Sequence, residues 1–82
     1  MHYFDIDAYS TDHGWVARVT RLDETGVDEV VFMADLGFES ESEDAALRRG
    51  AGWVLSKGGR VRVVMRAGAP VPSAPYVVHS LT

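Results

Sequence analysis

Hydrophobic and polar side chains alternate with a period of two along the first part of the chain. Over residues 3–9, Phe4, Ile6 and Ala8 share one face while Tyr3, Asp5, Asp7 and Tyr9 share the other, as in a half-buried strand. Ser10-Thr11-Asp12-His13-Gly14 is turn chemistry, with Gly14 free to take positive φ. A second strand is predicted over 15–22, with Trp15, Ala17 and Val19 on one side and Val16, Arg18 and Thr20 on the other. Asp23-Glu24-Thr25-Gly26 makes a second turn, and a third strand over 27–36 places Val30, Phe32 and Ala34 inward. Three strands joined by two short turns give an antiparallel meander.

The period then changes. In "FESESEDAALRRGAGWVLSKGG" Leu47, Gly50, Ala51, Val54 and Leu55 gather on one stripe of a helix, with Arg48, Arg49, Gly52 and Ser56 away from it. Ser40 with Glu43 fits a capping box and Ser42 is an equally legal N-cap, either contributing about 1 kcal/mol. Glu41, Glu43 and Asp44 suit the positive end of the helix dipole, Lys57 suits the negative end, and Gly58-Gly59 stops the helix. Gly50 and Ala51 sacrifice helix propensity, and the bulk they omit lets the helix approach a sheet. Trp53 falls at the margin of the stripe. "RVRVVMR", residues 60–66, alternates again as a fourth strand, with Val61, Val63 and Met65 inward and Arg60, Arg62, Val64 and Arg66 outward. "AGAPVPSAP" carries all three prolines and cannot continue a central strand, while "YVVHSL" offers an edge strand over 76–81 or a loosely held end.

These elements define an α+β domain over 1–66: a three-stranded antiparallel meander, one helix packed on one face, and a returning fourth strand. Residues 67–82 form a proline-containing tail. The helical crossover makes the fourth strand parallel to the first. Placing it beside the first strand gives the order 3-2-1-4 and sets Asp5 and Asp7 between Arg18 on one flank and Arg60 and Arg62 on the other. Opposite charges on neighbouring strands stabilise by about 0.2–1 kcal/mol a pair. The aspartates thus have a structural use that needs no substrate. The exposed pleat (Tyr3, Asp5, Asp7, Tyr9, Arg18, Arg60, Arg62 and Arg66) becomes the candidate interaction surface.

Composition narrows the function classes. The chain has 82 residues, enough for one small core, and no cysteine, so neither disulfides nor thiolate metal sites can staple it. The formal charge of −4 works against polyanion binding by overall attraction. The N-terminus lacks the basic-then-apolar pattern of a signal peptide, and no apolar run approaches the ~18–20 residues of a membrane span, so a cytoplasmic protein is expected. Asp5-x-Asp7 with Asp12-His13 could offer oxygen ligands to a cation. Tyr9 stands where a calcium loop needs its third ligand, however, and adjacent arginines oppose a cation, so no metal or other cofactor is expected. His2, His13 and His79 share no face, no glycine-rich phosphate loop is present, and the serines belong to caps, turns and chain ends. No catalytic residues are assigned. An alternative class is a nucleic-acid module, in which the Tyr/Arg pleat stacks on bases and contacts phosphates.

"GWVARV" on a strand, followed by a long strand and "SEDAALRRGAGWV" opening a helix, resembles the HicB-like antitoxin fold and related small bacterial β-β-β-α-β families, over residues 3–66. That fold is related to a truncated ribonuclease H core with strand order 3-2-1-4. Active enzymes of that kind bring carboxylates from strand one, the helix and strand four onto metal ions. Here Asp5, Asp7 and Glu43 match the first two sources, but "RVRVVMR" contains no acid, so the resemblance implies no catalysis. Many HicB-like antitoxins add a C-terminal DNA-binding segment, where this chain has its proline-containing tail. The resemblance therefore implies a non-catalytic module that binds a protein partner or itself, as a homodimer through strand four or the tail.

Overall fold

The computed structural model describes residues 3–23, 26–32 and 39–76. The chain folds as strands β1 (Tyr3–Thr11), β2 (Gly14–Asp23) and β3 (Gly26–Phe32), helix α1 (Glu43–Ser56), then strands β4 (Arg60–Arg66) and β5 (Ala69–Val71). This is an α+β architecture in which α1 covers one face of an open mixed sheet of order β3-β2-β1-β4-β5. β1 is antiparallel to β2 and parallel to β4. The expected inward facing of Val30, Phe32 and Ala34 lies outside the described side chains.

Local chemistry explains the junctions. Thr11 and Gly14 close the β1–β2 hairpin, where the Thr11 hydroxyl accepts from the His13 N–H at 3.2 Å and donates to the Gly14 carbonyl at 3.1 Å. Gly14 has φ 136°, and a Cβ there would lie 2.6 Å from the Ser40 carbonyl oxygen, so glycine serves both the turn and this close approach. Ser40 exchanges backbone hydrogen bonds with Trp15, at 2.8 Å each way. The helix cap is therefore Ser42, whose hydroxyl accepts from the Ala45 N–H at 3.1 Å.

The core consists of Phe4 and Ile6 from β1, Val16, Ala17 and Val19 from β2, Leu47, Ala51 and Val54 from α1, Val64 from β4, and Tyr76. Gly50 is buried where α1 crosses the sheet, and a Cβ there would come within 3.0 Å of both the Ala17 Cβ and the Ile6 Cγ2. The missing side chain sets how closely the helix sits on β1 and β2. Ala46 joins the buried stripe and Leu55 is only half-buried, so the helix is rotated slightly from the expected facing.

Three expectations are corrected. First, β4 does not alternate regularly. Val61 stands opposite Phe4, but Val63 stands opposite Asp5 and Val64 opposite Ile6, so one extra residue is accommodated between Phe4 and Asp5. A one-residue shift exchanges the two faces of a strand. Val64 consequently lies in the core, while Val63 and Met65 turn to the other side. Second, the segment after β4 contributes a strand at Ala69–Val71, extending the four expected strands to five among the described residues; beyond Tyr76, the edge strand expected over 76–81 lies outside the described residues. Pro70 is tolerated because β5 lies at the border of the sheet. The connecting turn uses Ala67 at φ 52° and Gly68 at φ 79°, two successive positive angles that match the twist of a tight hairpin. Tyr76 is buried beyond it, with the core. Third, Val16 is only 1% exposed, although it lies across the ladder from Tyr9 on the side expected to be solvated.

Candidate interaction face

The face of the sheet opposite α1 is built from register. Leu22, Tyr3 and Arg60 lie side by side across β2, β1 and β4. Thr20, Asp5 and Val63 form the next row, and Arg18 and Asp7 the row after it. Alternation along β4 puts Met65 on this face, opposite Pro70 of β5. Tyr3, at 48% exposed, is the large hydrophobic side chain most open to solvent among the described residues. Tyr9 is half-buried against the core.

Both aspartates are held by arginine forks. Arg18 Nε donates to Asp7 Oδ1 at 3.0 Å while its Nη2 donates to Asp7 Oδ2. Arg62 Nε donates to Asp5 Oδ1 at 3.0 Å and its Nη2 to Asp5 Oδ2 at 2.7 Å. Two parallel charge-assisted bonds fix the planes of both groups and occupy both carboxylate oxygens. The hydrogen bonds to Asp7 and Asp5, more than Coulomb attraction alone, hold Arg18 and Arg62 still more firmly protonated than usual. Arg62 reaches Asp5 from the irregular stretch of β4, where the register shifts. Arg60 is exposed and, among the described residues, has no ion-pair partner.

Tyr3, Asp5, Asp7, Tyr9, Arg18, Arg60 and Arg62 thus come together on one face. Arg66 does not. The register shift turns it to the helix side, where its Nε donates to Asp44 Oδ1 at 2.7 Å at the start of α1. The Tyr76 hydroxyl donates to the same oxygen at 2.9 Å, the Ala67 N–H donates to Glu43 Oε2 at 3.0 Å, and the Arg48 guanidinium lies 6.0 Å from the Tyr76 ring centre. This second cluster fastens the end of the described chain to the helix N-terminus. A lone aromatic among prolines was the only sequence signal for it. Leu22, Val63 and Met65 also escaped the sequence reading, the last two because strict alternation assigns them to the core.

Among the described residues, no three His, Cys, Asp or Glu side chains converge as a metal site. His13 sits in the exposed β1–β2 turn, while His2 and His79 fall outside the described residues. No described helix is long and apolar enough to cross a membrane. No protein-family model, curated protein or solved structure matches the chain.

Proposed function

We propose that the protein is a non-catalytic, cytoplasmic protein-interaction module that docks its partner, or a second copy of itself, on the open face of the sheet, as the HicB-like resemblance implies. The observation that carries this reading is the closed pairing of Asp5 with Arg62 and of Asp7 with Arg18. Carboxylates engaged through both oxygens are poorly placed to bind a cation or to move protons. Their arginines are equally committed, which removes two of the cations that a phosphate backbone would require. What remains is a mixed surface of Tyr3, Leu22, Val63 and Met65 framed by neutralised charge, the composition of a protein–protein contact.

The test combines sedimentation over a rising concentration series with cross-linking in the native cell, on the wild type and on a Val63→Asp/Met65→Asp variant. Both positions are half-buried on the open face, and circular dichroism checks that the variant folds. Self-association or a cross-linked partner that is lost in the variant is the expected result. A strict monomer with no cross-linked partner overturns the proposal. Salt-dependent binding of single-stranded RNA or DNA that disappears in Arg60→Ala/Arg62→Ala would instead assign the face to nucleic acid.

A further inference from the structure

β4 is second from the border of the sheet, but its outer neighbour is short. β5 pairs only with Val64, Met65 and Arg66. Residues 60–63 therefore have β1 on one side and, among the described residues, no strand on the other. An uncovered stretch of edge presents backbone donors and acceptors that can template another strand.

The side chains along this stretch discriminate between occupants. Arg60 stands beside exposed Tyr3 with no described ion-pair partner. Arg62 holds Asp5, yet 55% of its side chain remains exposed. A second copy meeting this edge about a two-fold axis pairs antiparallel, and centred on Val61 it would set Arg60 against Arg62 of the other copy; like charges directly opposed destabilise a ladder. A basic strand meets the same objection. An acidic strand gains Arg60 as a cross-strand partner on the open side. Its alternate side chains face the helix side, where half-buried Val61 and the Trp53 ring packed edge-on against Phe4 offer apolar contact.

We infer that the outer edge of β4 at residues 60–63 accepts, as an added strand, an extended partner segment that alternates acidic and apolar side chains. The assignment rests on the protein-interaction reading and names the chemistry of its partner. The chain's own charge of −4 makes such recognition local, since the overall field repels an acidic segment.

The experiment uses the full chain and three capped octapeptides: one alternating Glu and Val, one alternating Lys and Val, and the Glu/Val peptide with alternate backbone nitrogens methylated. Hydrogen exchange of the β4 amides and fluorescence anisotropy are read together. The Glu/Val peptide is expected to slow exchange along residues 60–63 and to bind roughly tenfold more tightly than the Lys/Val peptide. Arg60→Glu should reverse that preference, and methylation should abolish binding because it removes the ladder hydrogen bonds. No Glu/Val binding at millimolar concentration, equal binding of both signs, or protection located elsewhere overturns the inference, as does a dimer protected along β4. Open-face association that is lost in Val63→Asp/Met65→Asp while the peptides fail to bind would sink the edge assignment alone.

Discussion

Val61 and Val64 are three positions apart on β4 yet pack on the same side of the sheet, opposite Phe4 and Ile6 respectively. In a regular strand they would face opposite ways. The extra residue between them sends Val63 outward and brings Arg66 round to the helix. Truncation therefore separates the two neighbours sharply. Val64→Ala, at a fully buried site, should cost about 2 kcal/mol, and Val63→Ala under about 1 kcal/mol. Urea unfolding of both variants measures the difference, and a reversed ranking would mean that β4 alternates without a shift.

Gly50 and Gly52 occupy one helix but contrasting surroundings. A Cβ at Gly50 meets Ala17 and Ile6 at 3.0 Å, whereas one at Gly52 meets nothing within 4 Å. Gly52→Ala should gain most of the propensity difference, about 0.5–1 kcal/mol. Gly50→Ala should gain less or lose, and Gly50→Val should destabilise by about 1–3 kcal/mol as the helix is pushed off the sheet. Thermal melts of the three variants give the ranking.

Ser40 and Ser42 are interchangeable as caps in the sequence but not in the fold. Ser42 caps α1 through its hydroxyl, and Ser40 binds Trp15 through its backbone alone in the described contacts. Ser42→Ala should lose about 1 kcal/mol and Ser40→Ala under about 0.5 kcal/mol in denaturant unfolding. Equal losses would place the cap elsewhere.

Alternation read β1 well because that strand pairs with β2 without a shift, so Phe4 and Ile6 reach the core and Asp5 and Asp7 the open face. The same rule failed on β4, because a bulge is decided by how two strands fit and leaves little trace in either one. The Asp5–Arg62 pair survives this irregularity through the length and reach of arginine. β5 escaped because proline argues against strands in general, whereas the ladder excludes it only from interior positions. Val16 shows the other limit: its polar-side register is legible, its burial is not.

The Asp44 cluster gives the fold two pH limits, both with determinate sign. Arg66 first, and the Tyr76 hydroxyl second, hold the Asp44 carboxyl below the usual carboxylate range. Its contribution to stability is therefore fully present above the unfolded value of about 3.9 and is lost as pH falls through the lower folded value. Burial first, and the hydrogen bond to Asp44 second, push the Tyr76 hydroxyl upward. That contribution is present below about pH 10 and is lost as pH rises toward the folded value. Asp44→Asn should remove the acid limb contributed by this carboxyl and lower the Tyr76 titration toward the ordinary range, because one of its causes disappears. Tyr76→Phe keeps the buried ring but deletes the hydroxyl, so it should raise the Asp44 titration only partway, with Arg66 still in place. Carboxyl NMR titration of Asp44 and ultraviolet difference titration of Tyr76 follow the two groups separately. If the Asp44 titration is unmoved in Tyr76→Phe, the hydroxyl does not donate to that oxygen in solution, and of the two described donors Arg66 alone holds the Asp44 carboxyl.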